Sequence, residues 1–292
     1  MGMTTQQLGF NTASLAGMSI QEAVETGRRI GVGSLELLGF DGQRHSQGTL
    51  AGFWFDRLSD RERAQLRASV ADFRHRSIHA PFLDVPLFTV NPEVKALAIK
   101  QMQESVRAAA YLGAQTVTVH TSIKRGFAVE EYWDEMLDTY RQLGDDAQDR
   151  GVWVGVENLN LPDNADDYVR LIREIDHPNV GATVDTGHVI HFAPRELIGT
   201  AEGVARYNDI LQDLTVRLAD KIVHIHLHDV RASDWRDHCE VGTGIIDFAP
   251  FFQIVAASGY DRAICLELEE PDKLGALERS VSRAKDFLPS PA

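Results

Sequence analysis

The sequence predicts a single (β/α)8 barrel, the TIM-barrel architecture, with parallel strands in one domain over residues 1–292. Short apolar segments alternate with stretches of helical length eight times along the chain, and such alternation is typical of a parallel sheet whose strands are joined by helices. Eight units predict that the sheet closes on itself, and 292 residues are an ordinary length for one such barrel. No stretch rich in proline, glycine or serine divides the chain, so no domain boundary is expected.

The predicted strands are apolar runs, most of which end close to a polar side chain. The third is stopped by Pro81, because proline has no N–H to give to the strand ladder. In chain order the predicted strands are Leu8–Ser14, Ser34–Leu38, Ser77–Pro81, Thr116–His120, Val152–Glu157, Val180–Asp185, Ile222–His228 and Ala263–Leu268.

The predicted helices begin and end on residues that suit helix termini. Ser19 and Ser59 precede two of them, and Glu62 lies where a capping box with Ser59 needs a glutamate. Gly113 follows the third helix, at a position that glycine favours. The predicted helices are Ile20–Ile30, Ser59–Phe73, Pro92–Leu112, Val129–Arg150, Ala165–Ile175, Tyr207–Ala219, Phe248–Ala257 and Asp272–Phe287.

Two predicted loops, Gly39–Leu58 and Arg231–Gly244, are longer than most connections in such units. Both follow strands. Since barrel active sites are built at the carboxyl ends of the strands, both loops are expected beside the site. A shorter loop after the fourth strand carries Lys124 and Arg125, which suit contact with a phosphate or carboxylate as well as they suit solvent.

Composition narrows the class of protein. The chain has 29 Lys and Arg against 43 Asp and Glu, a net charge of −14, which disfavours nucleic acid and anionic membranes as partners because both require clustered cations. Cys239 and Cys265 form no CxxC pair, so structural thiols in a reducing compartment are expected. The first residues lack the features of a signal peptide and no apolar run has the length of a membrane span, so a cytoplasmic location is expected.

Four residues at or near strand ends carry the strongest functional signal. Glu157, Asp185, His226 and Glu267 are spaced 28, 41 and 41 residues apart, about one strand–helix unit each. Because all strands of such a barrel point the same way, these side chains are expected to converge at one end. Three carboxylates and one imidazole suit Mn²⁺, Mg²⁺, Co²⁺ or Zn²⁺, and the excess of carboxylates favours a six-coordinate ion such as Mn²⁺.

Further polar residues fall at the same end of the predicted barrel. A single histidine or glutamate there is more often a hydrogen-bonded or solvated rim residue than a ligand. A polar residue at nearly every strand end from the third to the eighth nevertheless indicates a site. These additional residues are Glu36, His79, His120, His188, His228 and His238.

Three motifs together resemble the xylose isomerase-like TIM barrels. They are Asp185-Thr186-Gly187-His188, His226-Leu227-His228-Asp229 and the late-strand Glu267, in this order and spacing. The resemblance covers nearly the whole chain. That superfamily contains sugar isomerases and epimerases, inosose dehydratases and AP endonucleases of the endonuclease-IV type.

The resemblance to ketose 3-epimerases implies roles for individual residues. Glu157, Asp185, His226 and Glu267 would hold one divalent metal, and the two glutamates would also serve as the catalytic acid/base pair. The implied mechanism is abstraction of the proton beside a metal-chelated carbonyl, followed by return of a proton to the opposite face of an enediolate. The residues expected to contact substrate are His188, His79, His120, Glu36, Arg231 and His238, where Arg231 only roughly matches the family's arginine in spacing.

The nuclease branch of the superfamily is an alternative. Its three-zinc pattern would use His79, His120, Glu157, Asp185, His188, His226, His238 and Glu267. However, Arg236 stands two residues before His238, where that branch has an aspartate ligand, and an arginine cannot bind zinc. With the acidic net charge, this favours sugar chemistry over DNA cleavage.

The expected function is therefore isomerisation or epimerisation of a sugar, keto-sugar or cyclitol by a metal-dependent enzyme. A lyase or dehydratase acting on a keto-cyclitol or 3-keto-glycoside is the alternative that uses the same site, and a sugar-binding barrel without activity is another. The expected partners are the small-molecule substrate, one divalent ion and, by family habit, a second copy or three more copies of the chain, with neither nucleic acid nor membrane.

Overall fold

The computed structural model describes residues 3–45, 47–83, 85–121, 128–159 and 162–289. Within them, eight parallel strands form a closed barrel in which each pairs with its neighbours in chain order and the eighth pairs with the first. The predicted (β/α)8 architecture is confirmed. The barrel strands are β1 (Leu8–Asn11), β2 (Ser34–Leu38), β3 (His75–His79), β4 (Thr116–Val119), β5 (Trp153–Glu157), β6 (Val180–Asp185), β7 (Ile222–Leu227) and β8 (Ile264–Leu266).

A helix follows each strand and packs outside the barrel. Ser19 and Ser59 cap the first two as predicted, each accepting a hydrogen bond from a backbone N–H three residues on. Gly113 ends the third in the left-handed conformation, with φ 70°. The helices are α1 (Ile20–Ile30), α2 (Asp60–Ser69), α3 (Pro92–Leu112), α4 (Trp133–Gln148), α5 (Ala165–Ile175), α6 (Ala201–Leu218), α7 (Phe248–Ala257) and α8 (Lys273–Phe287).

Several element boundaries differ from the prediction, and three of the differences have an identifiable reason. β1 ends at Asn11, because the Asn11 side chain accepts the N–H of Ala13 and starts a 3-10 turn. β3 starts at His75, earlier than predicted, since its polar first residues pair with β2. α6 begins six residues early, where Thr200 caps it by accepting the N–H of Gly203.

The inside of the barrel is partly polar, whereas apolar strand bodies were expected. Ser77 on β3 lies 3.5 Å from the Nε2 atom of His224 on β7, and Thr118 on β4 lies 3.2 Å from the hydroxyl of Thr183 on β6. These side chains are fully or almost fully buried. These buried polar side chains form a hydrogen-bonded layer inside the barrel, and such a layer can stabilise a buried charged side chain.

Both cysteines are buried and unbridged, as the prediction of structural thiols requires. Burial raises the pKa of the Cys239 thiol to about 11, so this thiol stays protonated at neutral pH. Among the described residues, no helix combines the length and apolar character that a membrane crossing needs.

Candidate metal centre and cavity

The four predicted ligand residues converge at the carboxyl ends of their strands. One ligand atom from each of Glu157, Asp185, His226 and Glu267 lies within 4.8 Å of all the others. The Nδ1 atom of His226 is 3.1 Å from Glu157, 3.5 Å from Glu267 and 3.8 Å from Asp185. Their arrangement follows from the sheet, because Asp185 and His226 are paired residues on the adjacent strands β6 and β7.

The charges at this cluster require compensation. Glu157 and Asp185 are fully buried and the Glu267 side chain is only 12% exposed. Burial opposes ionisation of Glu157, but His120 and His226 hold its pKa well below the usual range. Burial likewise lowers the pKa of His226, but the surrounding carboxylates Glu267, Glu36 and Glu157 raise it well above its ordinary value.

A divalent cation would take the place of the proton on His226 as the counter-charge to the three carboxylates. Clustered buried carboxylates with one imidazole nitrogen facing them are a donor set that suits Mn²⁺, Mg²⁺ or Zn²⁺. The residues present therefore fit a divalent ion held by Glu157, Asp185, His226 and Glu267.

The second nitrogen of His226 is held from inside the barrel. Its Nε2 atom lies 2.8 Å from the Oε2 atom of Glu36, which also accepts a hydrogen bond from Asn11 at 3.0 Å. The other Glu36 oxygen lies 3.2 Å from the Nε2 atom of His224. A carboxylate that receives the outer N–H of a metal-binding histidine is a common feature of metal sites, where it fixes the ring and its tautomer.

This position changes the expected role of Glu36. The side chain is fully buried and does not line the cavity. It lies in the middle of β2, not at its end. The structure therefore places Glu36 against His226 and not among the residues that line the cavity.

Three further predicted histidines surround Glu157. The Nε2 atoms of His79 and His120 lie 3.7 and 2.8 Å from one carboxylate oxygen, and the Nδ1 atom of His188 lies 3.1 Å from the other. Burial lowers the pKa of His188, but Asp185 and Glu157 outweigh it and raise the pKa to about 10. Burial dominates at His120 and lowers its pKa.

These side chains line a cavity of about 270 Å³. One wall of the cavity is polar and the other is apolar. The polar wall includes Asn11, His79, His120, His188, His238 and Glu267. The apolar wall includes Leu38, Leu50, Phe82, Leu159 and Leu268.

The long loop after β7 brings His238 to the cavity but not Arg231. His238 has a positive φ of 53°, which aims its ring at the cavity and against the ring of His228. Arg231 instead forms an ion pair with Asp234 at 2.5 Å, with each side chain 50% exposed. Arg231 is not among the described residues that line the cavity, so the structure does not bring it together with the other predicted substrate contacts.

Arg236 is turned toward the segment after β8. Its guanidinium donates to the carbonyl of Glu269 and pairs with Glu270 at 3.3 Å. It thus anchors the loop, and it supplies no ligand atom where the nuclease pattern has an aspartate. Lys124 and Arg125 lie outside the described residues.

Asn11 and His228 are neighbours of the ligands to which sequence reasoning gave no role. The Nδ2 atom of Asn11 donates to both Glu36 and Glu267, the latter at 2.6 Å. The sequence predicts Asn11 inside the first strand, Leu8–Ser14, whereas the folded chain ends that strand at Asn11. The sequence predicts His228 at a strand end, but only the folded chain shows what its ring contacts.

Metal binding is expected to release protons. At neutral pH His226 is protonated in the metal-free protein, since the pKa of this ring is raised, and a metal-bound ring must be neutral. The affinity for Mn²⁺ should therefore increase with pH above 6.5, by about tenfold per pH unit until the pH passes the raised pKa of His226, because each bound ion displaces about one proton. Calorimetric titration in two buffers of different ionisation enthalpy counts the protons, and a pH-independent affinity between pH 6.5 and 9 would contradict the expectation.

Comparison with known proteins relates this geometry to a family. The sequence model of the xylose isomerase-like TIM barrel matches residues 24–290. The chain is 28% identical over 202 residues to an uncharacterized protein of Methanocaldococcus jannaschii, across 65% of this chain and 63% of that protein. It is 26% identical over 174 residues to an inosose dehydratase of Geobacillus thermodenitrificans, across 56% of each. The chain thus spans less than two thirds of the length of these two relatives.

Solved structures share the fold over nearly the whole chain. A D-tagatose 3-epimerase-like protein superimposes with a TM-score of 0.73 at 21% identity, with 96% of both chains covered. The IOLI protein, crystallised with a zinc atom, superimposes with a TM-score of 0.69 at 17% identity, again with 96% of both chains covered. Because the family match covers most of the chain and the barrel closes as that family's does, this protein belongs to the xylose isomerase-like TIM-barrel family.

Proposed function

We propose that the protein is a divalent-metal-dependent isomerase or epimerase that acts on a sugar, keto-sugar or cyclitol through an enediolate. One observation carries the proposal. Two glutamates, Glu157 and Glu267, belong to one cluster of side chains that could bind a metal ion, and Glu267 also lines the cavity together with several histidines. Relatives and structural neighbours named as dehydratases and epimerases support sugar or cyclitol chemistry.

The bound ion would polarise the carbonyl of an α-hydroxycarbonyl substrate and so acidify the adjacent C–H. Glu157 extends from β5 and Glu267 follows β8, so the two carboxylates reach the cluster from strands separated by β6 and β7. We assign them as the acid/base pair, in which one removes the proton and the other returns a proton to the opposite face.

The histidines of the cavity are assigned to the substrate oxygens. The ring centroids of His188 and His238 are 5.4 Å apart. Those of His79 and His120 are 4.8 Å apart. All four rings line the cavity, where they would orient the hydroxyl groups of the substrate.

A lyase is the second candidate, favoured by the similarity to an inosose dehydratase. A lyase would use the same carboxylates to remove the proton beside the carbonyl. It would then expel a leaving group from the β-carbon instead of accepting a proton on the opposite face. The substitution of the substrate decides between the two reactions, so the test must identify products as well as exchange.

Incubation in D₂O with Mn²⁺ and a panel of ketoses, inososes and 3-keto-glycosides tests the proposal. We expect deuterium at one carbon of at least one substrate, with a new epimer or isomer as product. An unsaturated product would establish the lyase instead. The same incubations with metal-free protein serve as control, and the absence of exchange across the panel would overturn the enediolate mechanism.

Metal content separates sugar chemistry from the nuclease alternative. We expect one divalent ion per chain after dialysis against Mn²⁺, because Arg236 occupies the place of a third-zinc ligand and the net charge of −14 disfavours DNA. Elemental analysis measures the ratio, and an incised abasic-site duplex measures nuclease activity. Three ions per chain together with strand cleavage would contradict the sugar assignment.

A further inference from the structure

We propose that His228 is a positioning residue that fixes Asp185 as a ligand of the divalent ion, and that it does so as a neutral ring with its proton on Nε2. The inference rests on the proposed metal centre. His228 is fully buried and does not line the cavity, so it acts through Asp185 and has no direct contact with substrate.

The hydrogen bonds of His228 determine its tautomer. The backbone N–H of His238 donates to the Nδ1 atom of His228 at 2.8 Å. Because a backbone amide nitrogen only donates, the Nδ1 atom that receives this bond carries no proton. The proton of the neutral ring is therefore on Nε2, which lies 2.9 and 3.0 Å from the two oxygens of Asp185.

The motif Asp185-Thr186-Gly187 is built around this ring. Thr186 donates through its hydroxyl to the carbonyl of His228 at 2.8 Å and accepts from the N–H of His228 at 3.1 Å. A Cβ atom at Gly187 would lie 1.9 Å from the Cε1 atom of the His228 ring. Each of these three consecutive residues thus contacts His228, and the glycine is needed because the ring passes directly over its backbone.

The other face of the His228 ring is covered by His238. The two rings stack with centroids 4.2 Å apart and planes 11° from parallel. His238 reaches this place through the left-handed conformation of its backbone, a strained conformation for a residue with a side chain. The loop after β7 thereby supplies both the hydrogen bond to Nδ1 and the packing that keeps the ring in place.

These contacts leave Asp185 in one orientation. Its Oδ1 atom accepts the backbone N–H groups of Gly187 and His188, both at 2.8 Å. The Nε2–H group of His228 spans the two oxygens from the side. The Oδ2 atom then faces the Nδ1 atom of His226 at 3.8 Å, toward the space between the four ligands.

Two substitutions of His228 test the role of the Nε2 donor. His228→Ala removes the donor, and the Mn²⁺ dissociation constant of the metal-free protein should increase by about 10- to 100-fold. His228→Gln keeps an amide donor near the position of Nε2 and should recover part of that loss. Calorimetry measures the affinities, and the visible spectrum of the Co²⁺-loaded protein reports the ligand geometry. His75→Ala is the matched control, since His75 is a buried histidine at the opposite end of the strand that ends in His79.

Gly187→Ala tests the same contact without touching the ring's chemistry. It should weaken Mn²⁺ binding in the wild-type background, because the new Cβ displaces the ring, and it should have little further effect in the His228→Ala background. If His228→Ala folds poorly, Gly187→Ala in the wild-type background still tests the contact.

Two results would overturn the proposal: Mn²⁺ affinities of His228→Ala within threefold of wild type, or equal losses in His228→Gln and His228→Ala, which would assign the effect to packing. The wild-type titration keeps the two proposals separate. If the wild type binds no divalent ion, the proposed function fails first. If it binds one and the variants match it, only the positioning role fails.

Discussion

Glu157→Gln is expected to lower kcat by about 10²- to 10⁴-fold, the usual contribution of a positioned general acid or base. Glutamine has nearly the same shape as glutamate but neither removes a proton nor provides negative charge. The wild-type carboxylate is fully buried and has an imidazole nitrogen of His120 2.8 Å from one oxygen and one of His188 3.1 Å from the other. The substitution therefore removes the base and leaves the His188 ring, whose pKa is raised by Asp185 and Glu157, without one of its two counter-charges.

The measurement is initial rate and solvent deuterium exchange at saturating Mn²⁺, with bound metal quantified in each sample. Glu278→Gln is the matched control, because Glu278 is an exposed residue 3.4 Å from Arg29 at the surface. If Glu157→Gln kept activity within threefold of wild type with metal bound, a non-catalytic sugar-binding barrel would be the better interpretation.

The two glutamates should be separable if the enzyme is an epimerase. Each carboxylate serves one face of the substrate, so Glu157→Gln and Glu267→Gln should each still exchange the proton of one epimer while failing to complete the inversion. Opposite epimers should be labelled by the two variants. Labelling of the same epimer by both would contradict a two-base mechanism and favour the lyase, which needs a base on one face only.

Much of the fold was predictable because helix caps and strand ends are local signals. Ser59 with Glu62, and Gly113 after a long helix, determined boundaries that the structure reproduces. One boundary that was wrong, the start of β3, depends on tertiary pairing. His75 lies in a strand because β2 pairs with it, although its own sequence context is polar.

The convergence of the four candidate metal ligands was predictable, because parallel strands place their carboxyl ends together. The residues that hold these ligands in place were not predictable. Glu36 faces the barrel interior, and nothing in its local sequence shows that the ring of His226 lies 2.8 Å away. Asn11 was assigned to the interior of a strand, although its side chain ends that strand and links Glu36 with Glu267. Such contacts join residues far apart in sequence, and only the closure of the barrel creates them.

Glu36→Gln is expected to lower the free energy of unfolding of the metal-free protein by about 3–5 kcal/mol, the usual cost of removing one partner from a buried ion pair. Glu36, His224 and His226 are all fully buried, and the carboxylate lies 3.2 Å from one ring and 2.8 Å from the other. Burial raises the pKa of Glu36, but His224 and His226 outweigh it and hold that pKa well below the usual range. The neutral amide would leave the imidazolium charge of His226 without this counter-charge, in a place that water does not reach.

The dependence on pH tests the physical cause. A carboxylate with a lowered pKa in the folded protein stabilises it fully above the unfolded value of about 4.3 and loses this contribution as pH falls through the lower folded value. The difference between wild type and Glu36→Gln should therefore be complete at pH 7 and become smaller below about pH 4. Urea unfolding of the metal-free proteins at several pH values measures it, with Glu278→Gln as the surface control. A difference below about 1 kcal/mol at pH 7 would place the pair in the range of exposed ion pairs and remove Glu36 from the residues that hold His226.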